Sequence, residues 1–121
     1  NIPVTKGVSA DICGEFENQS FFAPNPYAGT DGYFKIRVPI DSDISLKIYN
    51  IAGDLIFKDE FTGQAHDTSV SGSCGSGYYC WPKVNSSGNT VTHGVYYYVL
   101  RLKGTQGGRE VCQTVKKILI P

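Results

Sequence analysis

GVYYYVLRL, residues 94–102, is the stretch that decides the fold. Side chains alternate across a strand with a period of two. Tyr96, Tyr98, Leu100 and Leu102 therefore share one face, and Val95, Tyr97, Val99 and Arg101 share the other. Density in aromatic and β-branched residues suits a central strand. Gly94 in front of it allows the turn that launches the run.

Downstream, KGTQGGRE (103–110) has the composition of a hairpin turn, and VCQTVKKILIP (111–121) supplies a last strand. The Lys116-Lys117 pair marks either a bulge in that strand or an edge guarded by charge. Upstream, Ile44, Leu46 and Ile48 alternate with Ser45, Lys47 and Tyr49. Asn50-Ile51-Ala52-Gly53-Asp54 then turns the chain into LIFKDEF, an antiparallel partner, with Gly53 expected at positive φ. Further back, Phe34, Ile36 and Val38 alternate with Tyr33, Lys35 and Arg37 until Pro39 ends the run.

The remaining segments punctuate these strands. FFAPNPYAGTDG (21–32) holds Pro24 and Pro26, which forbid helix, and reads as a strand end followed by a loop. Residues 62–77 are rich in Gly, Ser and Thr and read as a long decorated loop. Residues 1–20 alternate weakly and read as an extended arm, with one short strand expected near Val8 to Cys13. No helical period persists for ten residues. About seven short strands in some 100 residues define an all-β, immunoglobulin-like or fibronectin III-like antiparallel sandwich over 21–121, preceded by the arm of 1–20.

At 121 residues the chain is the size of one domain, able to bury roughly two thirds of its unfolded surface. Eleven basic residues balance eleven acidic ones, so no net field steers it onto polyanions such as nucleic acid or an anionic membrane, and nucleic acid is not an expected partner. No apolar run has the length of a membrane span. The chain begins at Asn1 without Met, as a mature protein or an excised piece would.

Cys13, Cys74, Cys80 and Cys112 match neither a zinc knuckle nor a haem attachment site. Four cysteines permit three pairings. Cys74 and Cys80 flank CGSGYYC closely enough to staple it locally, which leaves Cys13 for Cys112. Two disulfides imply an oxidising, extracytoplasmic home.

No residue stands out for chemistry. His66 and His93, the only histidines, sit in separate Gly/Thr-rich loops without a carboxylate pattern beside them. Asp31, Asp41 and Asp43 match no calcium loop and suit turns. Glu15 with Glu17, and Asp59 with Glu60, make no acid/base pair on a strand and read as solvated faces. Asn18 and Asn85 head formal glycosylation sequons, a short motif that arises often by chance. No catalytic, metal-binding or cofactor-binding residue is expected, and the chain does not read as an enzyme.

PNPY at 24–27, SLKIYNIAGDLIF at 45–57, Trp81, SSGNTVTHGVYYYVLRL at 86–102 and VKKILI at 115–120 together resemble the C-terminal Ig-like modules of secreted bacterial proteins. More narrowly, the chain is similar to the Ig-like domain of flagellar hook-capping proteins and to the C-terminal sorting domains of type IX secretion. Asn25-Pro26 starts the pattern, Gly53 closes its IYN-x-x-G hairpin, and Trp81, Gly88, Val91, Gly94, Val95, Tyr96 and Tyr98 fall on its last part. Pro82-Lys83 depart from the Asp-Gly pair such modules carry after the Trp. The resemblance implies that Trp81 is core and that Tyr96 or Tyr98 acts as a tyrosine corner.

It further implies a non-catalytic extracellular module, secreted or on the cell surface, serving sorting, attachment or spacing. Its partners would be its parent chain, the secretion machinery or neighbouring subunits. Two other readings stand beside it: a filament or surface-layer subunit whose arm adds a strand to a neighbour, and a carbohydrate-binding module using exposed Tyr and Trp on one sheet.

Overall fold

A computed structural model describes residues 13–29, 31–63, 78–104 and 111–121. Its strands are β1 (Phe21–Ala23), β2 (Tyr33–Lys35), β3 (Ser42–Asn50), β4 (Leu55–Gly63), β5 (Tyr78–Cys80), β6 (Gly94–Gly104) and β7 (Val111–Ile120). They form an antiparallel three-stranded sheet, β1-β2-β5, and an antiparallel four-stranded sheet, β4-β3-β6-β7. β6 lies between β3 and β7, the central position its composition predicts.

The two-residue period places Tyr96, Tyr98, Leu100 and Leu102 of β6 inward beside Ile44, Leu46 and Ile48 of β3. Phe22, Phe34 and Tyr79, mutually in register on the small sheet, face them. The sheets meet through aromatic rings: Phe34 and Tyr98 stand edge to face at 4.9 Å, and Phe61 and Tyr79 stack at 4.6 Å. Each such side chain taken fully out of water contributes about 1.5–3 kcal/mol. This is an Ig-like sandwich, with the small sheet covering the inner face of the large one.

The β3–β4 hairpin follows from Asn50. Its Oδ1 accepts from the amides of Ala52 at 3.0 Å and Asp54 at 2.9 Å, and its carbonyl accepts from Gly53. Gly53 has φ of 89°, a region that costs a residue with a Cβ about 1 kcal/mol or more. A register shift between Ile48 and Tyr49 adjusts the strands as they enter the turn.

Two expectations are corrected, and one left between two readings is decided. The arm is not extended throughout, since residues 13–19 are helical. That short helix buries Phe16 completely. The remainder of the strand expected near Val8 to Cys13 lies outside the described residues. Only Tyr33–Lys35 of the run to Val38 is paired as a strand. Ile36 and Val38 stay buried, but the Arg37 amide donates to Ser20 Oγ at 3.0 Å instead of to a neighbouring strand. Finally, Lys116 and Lys117 pair with Tyr98 and Tyr97 without a register shift. They mark an edge strand and no bulge.

Candidate functional site

β7 is the edge of the large sheet, and the segment 13–27 is fastened along it. Cys13 and Cys112 form a disulfide, joining positions 99 apart in sequence. Lys116 Nζ donates to the carbonyls of Glu17 at 2.9 Å and Ser20 at 2.6 Å. Asn25 donates from Nδ2 to the Lys117 carbonyl at 2.8 Å and accepts at Oδ1 from the Leu119 amide at 3.0 Å. The Tyr27 amide donates to the Leu119 carbonyl at 2.7 Å. Asn25 thus offers the edge the donor and acceptor that a further strand would offer. Glu15 holds the other side of the helical turn through an ion pair with Arg37. Cys80 is also disulfide-bonded, and its expected partner Cys74 lies outside the described residues.

Trp81 is fully buried, with the rings of Phe22, Tyr27 and Phe57 about 6.2 Å away, and donates from its indole N–H to the Val84 carbonyl at 2.8 Å. Tyr27 Oη donates to the Trp81 carbonyl at 2.7 Å and accepts from the Gly32 amide at 2.9 Å. A Cβ at Gly32 would lie 2.4 Å from the Phe22 ring and 2.5 Å from the Tyr27 ring, so only glycine fits there. Tyr96 is the tyrosine corner, its hydroxyl donating to the Thr92 carbonyl at 2.7 Å. Tyr98 is buried under Phe34, and burial pushes its hydroxyl up to about 12. Gly88 and Gly94 both have positive φ. Lys83, where such modules carry glycine, has φ of 59°, and its Nζ lies 4.6 Å from the Tyr27 ring centroid.

Tyr79 Oη donates to Asp59 Oδ2 where the small sheet meets β4. Burial raises its pKa first, and the hydrogen bond and charge of Asp59 raise it further. Burial raises Tyr27 in the same direction. Tyr27 and Phe16 are structural residues that the sequence reading missed. Tyr27 alone carried a signal, its place directly after Asn25-Pro26.

The outer face of the large sheet is left open by these contacts. At one end an open groove of about 840 Å³ is lined by Asp43, Ser45, Glu60, Thr62, Arg101 and Lys103. At the other end Leu55, Val115 and Leu119 are 45%, 53% and 43% exposed, and Ile51 at the hairpin tip is 74% exposed. Tyr49 and Tyr97, half-buried, lie between them. Among the described residues no three of His, Cys, Asp and Glu stand together as a metal would need. His93 is exposed beside β6, and His66 lies outside the described residues. No helix is long and apolar enough to cross a membrane.

The arrangement defines a disulfide-tied Ig-like sandwich whose ordered polar contacts serve architecture. Residues 16–115 match the CHU_C type IX secretion signal domain, and the chain belongs to that family. Membership places it among secreted, cell-surface proteins. The fold is shared with dimeric latent PorU from Porphyromonas gingivalis, at a TM-score of 0.61 and 18% identity, over 84% of this chain and 9% of that one. It is shared also with PorZ, an essential surface component of the type IX secretion system of the same organism, at 0.54 and 14%, over 90% and 12%. The chain therefore spans about a tenth of either protein. No curated protein matches it.

Proposed function

We propose that this chain is a non-catalytic sorting domain at the C-terminal side of a longer secreted protein, addressing its parent to the type IX machinery and onto the cell surface. The observation that carries this reading is the family match over residues 16–115. The fold suits it physically. The β7 edge is covered by the domain's own segment 13–27, with a disulfide across the pair, so that edge is not open to strands of passing chains. The partners are the parent chain and the secretion machinery.

The other two readings have less to stand on. An arm that adds a strand to a neighbour loses residues 13–27, which are engaged with β7. A sugar platform loses Trp81, which is fully buried. The test is a secreted reporter fused to this domain, followed in cells with an intact and with a disrupted type IX system. Surface delivery only in the former supports the reading, and equal retention in both opposes it.

A further inference from the structure

The chain is neutral as a whole, but its charges are not evenly placed. On the outer face of the large sheet, pairing in register sets Lys58, Lys47, Val99 and Val115 in one row. The next row toward the hairpin is Leu55, Tyr49, Tyr97 and Lys117, followed by Val95 beside Leu119. Beyond them projects Ile51, 74% exposed. Lys47 and Lys58 are direct cross-strand neighbours, an arrangement of like charges that destabilises a sheet. Among the described residues no ion pair reaches Lys47, Lys58 or Lys117. The one acid at this end, Asp54, accepts from Asn50 within the turn. Glu60 stands one row from Lys58 on this face, beside Ser45 and Arg101, and Asp43 lies a row farther with Lys103.

We propose that this end of the sheet, the β3–β4 hairpin tip with the Lys47, Lys58 and Lys117 belt behind it, docks the domain on an anionic lipid surface. The hairpin is held stiff by the Asn50 contacts, so Ile51 and Leu55 are presented without a loss of loop entropy on binding. Aliphatic side chains enter the boundary between headgroups and acyl chains, tyrosines sit at the headgroup level, and lysines reach outward to lipid phosphates. The lysine belt also decides against a second copy of this chain, because a symmetric contact would set the same three cations against each other. Anionic headgroups supply the charge the face lacks. This inference stands apart from the sorting role. A domain that directs secretion without binding lipid, or binds lipid without directing secretion, separates the two.

The experiment is flotation of the 121-residue chain with vesicles of phosphatidylcholine alone, and with vesicles that also contain phosphatidylglycerol, at low and high salt. Partition onto the anionic vesicles is expected, weakening with salt. A Lys47→Gln, Lys58→Gln, Lys117→Gln triple variant is expected to partition on the order of a hundredfold less. Ile51→Asp is expected to lower partition several-fold. All three lysines and Ile51 lie outside the core, so cooperative thermal melts no lower than that of the parent chain confirm the fold of the variants. The proposal is overturned if the parent chain does not float with anionic vesicles at low salt. It is equally overturned if neutral vesicles bind it as well, or if the folded triple variant partitions like the parent.

Discussion

Asn25 and Leu119 are joined side chain to backbone at 3.0 Å across a separation of 94 residues, and the same amide group of Asn25 reaches the Lys117 carbonyl at 2.8 Å. One side chain therefore closes two positions on the β7 edge. Asn25→Ala is expected to cost about 1 kcal/mol, since solvent competes for both bonds. Asn25→Asp is expected to cost at least as much, because it turns the donor into a second acceptor facing the Lys117 carbonyl. Denaturant midpoints of the two variants check this. A fully stable Asn25→Asp would show that the edge contact contributes nothing.

Lys83 adopts a conformation that glycine adopts freely, in exchange for a place over Tyr27 and a 3.2 Å hydrogen bond to the Ala28 carbonyl. Lys83→Ala keeps the strained φ and loses both contacts, so it is expected to destabilise by about 1 kcal/mol. Lys83→Gly loses the contacts but relieves the backbone, and is expected to be about 1 kcal/mol more stable than the alanine variant. Equal unfolding free energies for the two would contradict the strain.

Alkaline pH acts through the buried tyrosines. The Tyr98 hydroxyl titrates near 10 when exposed and is pushed up to about 12 by burial, a backbone hydrogen bond at Phe22 pulling back only part of that rise. Because the folded value is the higher one, its contribution is complete below pH 10 and is lost as pH rises from 10 toward 12. Tyr79 and Tyr27 are raised in the same sense and add to the loss. Melting temperature is therefore expected to hold level up to about pH 9 and then to fall steeply. The fall should be shallower in Tyr98→Phe, and an identical slope would count against this assignment.

The Cys13–Cys112 bridge closes nearly the whole chain into one loop. On the chain-entropy account such a loop stabilises by about 4–5 kcal/mol, while a bridge between Cys74 and Cys80 stabilises by about 2 kcal/mol. Cys13→Ser is expected to lower the melting midpoint more than Cys74→Ser does. Equal midpoints would refute the dominance of the end-to-end bridge, and non-reducing peptide mapping reads the pairing directly.

The large sheet was legible because its strands are long and one-sided. In 44–49 and 94–102 the two-residue period runs long enough to identify the buried face, and Asn50 with Gly53 announces the hairpin that leads from the first of them into β4. The helical turn at 13–19 was not legible. It is too short for a helical period and is held by Phe16 burial and by Cys13, whose partner Cys112 on β7 lies 99 residues later. Lys116 illustrates the same limit, since its neighbours in sequence suggest a guarded edge while its partners are carbonyls of Glu17 and Ser20. The Tyr27 network joins three distant segments and leaves only the Asn-Pro-Tyr run as a local trace. The docking face was hidden by the neutral total charge, because register alone brings Lys47 beside Lys58.

The most direct test of the sorting role is quantitative surface labelling of live cells that express a secreted reporter fused to residues 1–121. The account expects the reporter on the surface of cells with an intact type IX system and inside the envelope of cells without one. A reporter that stays within the envelope of both, while the fused domain is folded and its Cys13–Cys112 bridge is formed, would contradict it.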